Sequence, residues 1–185
     1  MTTLTKPAEH YGLSNILGGA EGQLWDIAGM YASMARTLKN YPLYGGKYDK
    51  KDFHPPIYIR NENTRHEGLD NSSYLDAASI KFTFDAMIEV VRPEEEGSWK
   101  LYTSSCKVAW KTGTSFGFRD GWAIGLTPTH VVAVWVGNAD GEGRPGLTGI
   151  ATAAPILFDI FKTLKPGPWF ETPYDEMQKV GICHQ

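Results

Sequence analysis

Cysteine is scarce in this chain: Cys106 and Cys183 are the only two among 185 residues. Two thiols without a Cys-x-x-Cys spacing make neither a disulfide framework nor a zinc or redox motif. Both read as ordinary side chains, a small buried hydrophobe and a tail thiol, and leave the redox compartment open. No run approaches the eighteen or so apolar residues of a membrane span. Residues 1–7 lack the apolar core of a signal peptide, so any export signal or anchor is expected outside this chain. Basic excess is also missing. Eighteen Lys and Arg stand against 21 Asp and Glu, a net charge of −3, which argues against nucleic-acid binding through phosphate neutralisation. His10, His54, His66, His130 and His184 are scattered without metal-ligand spacing, so no metal and no cofactor is expected.

Aromatic residues are plentiful. Six Trp, nine Tyr and eight Phe supply apolar surface for one domain's core or a piece of one. Leu24, Ile27, Ala28, Tyr31, Ala35 and Leu38 fall at helical spacing and predict a helix over about 23–39, stopped by Asn40-Tyr41-Pro42. Gly45-Gly46 and Pro55-Pro56 mark a long surface loop, with Ile57-Tyr58-Ile59 as a short strand candidate. A second helix is expected from a cap at Asn71 or Ser72 to about Val91. Its inner side would hold Tyr74, Ala78, Phe84, Ile88 and Val91, with Arg92-Pro93 ending it and residues 94–97 forming a turn.

Three strands follow, at about 104–114, 121–127 and 131–137, and their short connections predict an antiparallel meander. Val131-Val132-Ala133-Val134-Trp135-Val136 is apolar on both faces, the pattern of a central, doubly covered strand. A last helix is expected over 149–164, with Pro155 either starting its main segment or kinking it. The fold class is therefore α+β: an antiparallel sheet flanked by helices. Residues 1–165 form the domain portion, and 166–185 read as a linker leading elsewhere.

The chemistry concentrates at Lys111-Thr112-Gly113-Thr114-Ser115, the end of the first strand. Lys111 offers a point charge on a long stem, able to pair with a carboxylate or hold the proton of a neighbouring hydroxyl. Strand alternation sets Thr112 and Thr114 on one side, where two hydroxyls could grip one ligand carboxylate. Gly113 has no side chain, so an extended peptide could pair with the strand edge. The Thr114 amide could then donate to a carbonyl oxygen as it becomes an oxyanion. Asp120 and Trp122 read as structural, and Arg119 as facing either solvent or a cleft.

Lys111-Thr112-Gly113-Thr114-Ser115, with Gly117, Arg119-Asp120, Trp122, Gly125, Thr127-Pro128 and Val134-Trp135-Val136-Gly137-Asn138, resembles the last block of class A penicillin-binding proteins. The following Ala139-Asp140-Gly141, and Gly149 to Pro155, are similar in particular to their 1C type. Upstream, Leu17-Gly18-Gly19-Ala20-Glu21 resembles the Leu-Gly-Gly-x-Glu that opens a family helix. The resemblance covers about residues 11–165 and implies the C-terminal part of a transpeptidase domain. Such domains cross-link peptidoglycan stem peptides through an acyl-serine and are acylated by β-lactams. It implies further that Lys111 orients a relay serine and attracts the substrate carboxylate. Thr112 and Thr114 would bind that carboxylate, beside Gly113 and Ser115, and the Thr114 amide would be half of an oxyanion hole.

Two family motifs are missing. No Ser-x-Asn occurs, and the single Ser-x-x-Lys, Ser104-Ser105-Cys106-Lys107, lies on the run into a strand, where its ends point to opposite faces. The nucleophile is therefore expected on a missing N-terminal half of the domain, which would be a partner of this chain. The chain alone is expected to be inactive, and exposed core surface makes a homodimer an expectation as well. The alternative is a non-catalytic module that binds a peptide or partner along the same edge. For the parent protein, resemblance implies the periplasmic face of the cytoplasmic membrane.

Overall fold

A computed structural model describes residues 2–13, 18–58, 68–93 and 107–178. Ser104, Cys106, Cys183, Ile59 and the expected turn at 94–97 lie outside the described residues. After a four-residue helix α1, Ala8–Tyr11, the chain enters α2, Leu24–Asn40. Ala35 and Leu38 are buried as their spacing requires, and the expected stripe above them is half-buried. Pro42 opens a 3-10 turn, Pro42–Tyr44, that closes on left-handed Gly45. Ile57 and Tyr58 form no strand.

Helix α3, Ala77–Ile88, begins later than the sequence suggests. Asp70 and Tyr48 exchange backbone hydrogen bonds, which holds the chain extended at 70, so Asn71 and Ser72 start no helix. Asp76 caps instead: its carboxylate accepts from the Ser79 N–H at 2.6 Å and the Ser79 hydroxyl at 2.9 Å. Tyr74 and Val91, expected on the inner side, are 80% and 73% exposed. Helix α3 ends at Ile88, and Arg92 is buried with its guanidinium 4.9 Å from the Phe158 ring centre.

The sheet is the expected antiparallel meander, β1 (Ala109–Thr114), β2 (Asp120–Leu126) and β3 (Val131–Gly137), in the order β1-β2-β3. With helices on both faces, the architecture is α+β. One expectation is corrected. The central strand is β2, and β3 is an edge among the described residues. The apolar run in β3 reflects cover by α2 and by the last helix on its two faces, which says nothing about its edge. The Thr127 N–H donates to the His130 carbonyl at 2.9 Å. Ladder alternation then turns the backbone groups of Val131, Ala133 and Trp135 outward, away from β2.

Register divides the faces. Ala109, Leu126 and Val131 pack with α2 and α3 in one core, around Leu38, Ile80 and Phe84. Trp110, Ala123 and Val134 pack on the other face with Leu157, Phe158 and Phe161 of α4, Ala154–Thr163. Pro155 sits in the first turn of α4, where its missing N–H does no harm, so it starts the helix and does not kink it. The turn before it, Gly149–Ala153, is π-helical, and Thr148 caps it by accepting from the Ala151 N–H.

Gly149 is where this turn meets the sheet. A Cβ built there would lie 2.4 Å from both the Gly113 and Trp122 carbonyl oxygens. Only glycine fits, because the obstacle is backbone on two strands. Gly149→Ala is expected to destabilise the fold by about 3 kcal/mol, the upper end for forcing extra volume into a packed site. Chemical denaturation checks this, and an unchanged midpoint would refute the packing argument.

Residues 169–177, expected to begin a linker, lie against the helical body. Phe170 is buried with its ring 5.6 Å from Phe84. The Tyr41 hydroxyl donates to Asp175 at 2.6 Å, and the Tyr48 hydroxyl donates to Glu176. Glu176 also accepts from the Ala77 N–H at 3.0 Å, placing a carboxylate at the N-terminus of α3. This segment acts as a strap over α2 and α3.

Burial first, and then the hydrogen bonds to Asp175 and Glu176, push both tyrosine phenols above their ordinary value. A raised folded pKa stabilises the neutral form, so this contribution is complete below the unfolded value of about 10 and is lost as pH rises beyond it. Thermal unfolding midpoints are expected to hold across neutral pH and to fall once pH passes about 10. Tyr48→Phe removes a donor to Glu176 and an acceptor for the Ala77 N–H, with an expected loss of about 1–3 kcal/mol by denaturant titration.

Candidate functional site

The end of β1 is built by its hairpin with β2. The Ser115 N–H donates to the Asp120 carbonyl at 3.0 Å, and the Asp120 N–H returns to Ser115 Oγ at 2.8 Å. Residue 115 therefore points its backbone toward β2. By alternation Thr112 and Thr114 turn their N–H and C=O groups outward to the free side of β1. Lys111 fits that direction, because its exposed ammonium reaches the Thr112 carbonyl. Among the described residues the result is an open strand edge with a cation on it.

Side chains divide by face. Thr112 and Thr114 share one side, as alternation requires, and it is the side that the turn at Gly149 covers. The Gly149 N–H donates to Thr114 Oγ1 at 3.0 Å. A hydroxyl that accepts from an amide keeps its own proton to donate, and Thr114 is exposed. Its hydroxyl is thus set up as a donor to an incoming acceptor. Lys111 and Gly113 belong to the opposite side, with the backbone of Gly113 exposed.

Ser115, grouped with the site by sequence, holds the hairpin through the bond from Asp120. Asp120 has the structural part expected of it: its carboxylate accepts from the Trp135 indole N–H at 2.9 Å and ties β2 to β3. The Trp122 and Trp135 rings lie 6.4 Å apart on that ladder. Arg119 is exposed beside the hairpin. Thr148 and Gly149 are the residues that site reasoning missed. Their signal is indirect: a glycine ahead of a helix with proline in its first turn marks a close backbone approach, but not what is approached.

Among the described residues no group of three or more His, Cys, Asp or Glu side chains could hold a metal ion. No helix of the described residues is long and apolar enough to cross a membrane. Two surface clefts lie away from β1. One is lined by Asp26, Met30, Ser33, Phe53, Pro56 and Tyr74, the other by Tyr41, Pro42 and strap residues including Asp175. Neither contains a residue of the 111–115 stretch.

Comparison with known proteins sets this edge in context. The chain is 31% identical over 148 residues to penicillin-binding protein 1C of Escherichia coli K12, covering 80% of this chain and 16% of that protein. It is 37% identical over 142 residues to penicillin-binding protein 1A of Clostridium botulinum, covering 75% of the chain and 16% of the relative. Penicillin-binding protein 1B of Vibrio cholerae is 26% identical over 163 residues, 85% of the chain and 20% of the relative. No family model matches the chain. No solved structure matches it either. The chain thus spans about one-sixth of the length of the 1A and 1C relatives. By these matches it belongs with the penicillin-binding proteins, as the counterpart of a segment of them.

Proposed function

We propose that these residues form the sheet-bearing part of a peptidoglycan D,D-transpeptidase domain, the part that receives the substrate's carboxylate and oxyanion. The observation that carries this is the β1 edge, open among the described residues, where the exposed Lys111 places its ammonium on the Thr112 carbonyl and the Thr114 hydroxyl is already engaged by the Gly149 amide. The ammonium attracts the C-terminal carboxylate of a D-Ala-D-Ala stem and orients a relay serine. The Thr112 and Thr114 hydroxyls donate to that carboxylate, and Gly113 lets the peptide lie close. The outward Thr114 N–H donates to the scissile carbonyl oxygen as negative charge builds there. The serine hydroxyl would add to that carbonyl and expel D-alanine, and an amine would then take the acyl group and free the serine.

The attacking serine belongs to the other wall of the cleft, in the larger part of the parent protein. On the far side of the sheet, the β3 edge, open among the described residues, is consistent with a further partner. Its run from Val131 to Val136 has no charged residue to discourage pairing, and a strand from the rest of the parent would cover it. A second copy of this chain along the same edge is the competing occupant. In the parent, this unit would work at the periplasmic face of the membrane, where peptidoglycan lies.

Labelling with a fluorescent penicillin tests the proposal. The purified chain alone is expected to remain unlabelled. Co-expression with the preceding part of its parent reading frame is expected to give labelling on a serine of that part. Lys111→Ala should slow the labelling by about 100-fold or more, in the range for loss of a positioned proton-handling group. An adduct at Ser104, or labelling indifferent to Lys111→Ala, would overturn the assignment. Stable peptide binding without acylation by the reconstituted domain would favour the non-catalytic module.

A further inference from the structure

The amide that engages Thr114 is itself held in place, through the carbonyl on the other side of its own peptide bond. The Gly149 N–H and the Thr148 C=O belong to one planar unit and point in opposite directions, so whatever fixes the carbonyl aims the N–H. Three groups fix it. The Thr152 hydroxyl donates to the Thr148 carbonyl at 2.7 Å, the Thr152 N–H at 3.0 Å and the Ala151 N–H at 3.2 Å. A threonine hydroxyl bonded to a carbonyl four residues back is common in helices and carries no function by itself. Here the peptide that it grips ends on Thr114 Oγ1, 3.0 Å from the Gly149 nitrogen.

The sheet makes room for that hydroxyl. Gly121 stands opposite Thr114 on the ladder between β1 and β2. A Cβ at Gly121 would lie 2.7 Å from Thr152 Oγ1 and 3.3 Å from the Gly149 nitrogen. The bare rung across from Thr114 is therefore where Thr152 sits. The turn that carries it, Gly149–Ala153, is π-helical, a form that is rare and frequent at functional sites. From Thr152 the bonds all run one way: hydroxyl to carbonyl, across the peptide, then amide to Thr114 Oγ1. Hydrogen bonds in such a chain polarise one another, and the exposed Thr114 hydroxyl stands at its end.

We infer that Thr152 is a positioning residue for carboxylate recognition: through the Thr148–Gly149 peptide it aims and polarises the amide that makes the Thr114 hydroxyl a donor. The inference rests on the proposed reading of β1 as the carboxylate-binding edge, and adds to it a residue that no inspection of that edge would include. Thr152 touches no substrate and acts only through Gly149 and Thr114.

Two measurements test this. In the chain alone, NMR hydrogen exchange at the Gly149 amide should speed about threefold in Thr152→Val, toward the low end for one net hydrogen bond, and recover in Thr152→Ser. The second uses the domain reconstituted by co-expression with the preceding part of the parent reading frame. Acylation rates for benzylpenicillin and for its methyl ester, which lacks the free carboxylate, are read by competition with a fluorescent penicillin. The unaltered domain should prefer the free acid. Thr152→Val should cut that preference about threefold, and Thr152→Ser should keep it. Added to Thr114→Val, Thr152→Val should cut it no further than Thr114→Val alone. Three results would overturn the positioning role and leave the edge assignment standing: Gly149 exchange indifferent to Thr152→Val, both compounds slowed alike, or additive losses in the double variant. A preference indifferent to Thr114→Val, or no acylation of the reconstituted domain, would overturn the edge assignment and the positioning role together.

Discussion

The close approach of Gly149 to the ends of β1 and β2 is the constraint on which the rest of this structure depends. Two strand carbonyls lie where any side chain at that position would go, so the turn settles directly on sheet backbone. From that fixed point its amide reaches Thr114 Oγ1, and α4 runs back over Trp110, Ala123 and Val134. One contact therefore sets the rotation of the Thr114 hydroxyl, seals one face of the sheet and, among the described residues, leaves the β1 edge uncovered. Small residues elsewhere on the same face serve the same packing: Gly125 meets Leu157 and Phe161, and Gly121 meets Thr152.

The other face is held by different physics. Helices α2 and α3 pack on the sheet through Leu38, Ile80 and Phe84, and the strap at 169–177 ties their outer surface together. Its carboxylates sit on two buried tyrosines and on the first amides of α3. Lys107, just ahead of β1, lies with its ammonium 5.0 Å from the Trp169 ring centre. The strap thus meets the chain just before it enters the strand that carries Lys111.

Periodicity made much of this legible. Helix α2, the second and third strands and the end of the first lie within a few residues of where the apolar spacing puts them, the first strand starting at Ala109 and not near 104, and Pro155 starts a helix for the reason its missing N–H suggests. What escaped depends on partners distant in sequence. The start of α3 turns on Tyr48 bridging Asp70, a contact no local pattern encodes. The strap looked like a Pro- and Gly-rich exit from the domain, yet Phe170 finds Phe84 across more than eighty positions. At the candidate site, residue types and alternation were readable in Lys111 to Thr114. The Gly149 amide behind Thr114 was not, because a glycine's role in close approach is defined by what it approaches.

The two edges of the sheet are chemically unlike, and the contrast bears on how the chain associates. Along β1 the outward backbone groups at Thr112 and Thr114 lie beside a charged lysine, which discourages indiscriminate pairing. Along β3 the outward groups at Val131, Ala133 and Trp135 lie in an uninterrupted apolar run with no guarding charge. Natural sheets rarely leave such an edge bare, since it pairs with any strand that reaches it. The distribution of charge over this three-stranded sheet, with Lys111 on one edge and none on the other, therefore separates an edge guarded against pairing from one that is not.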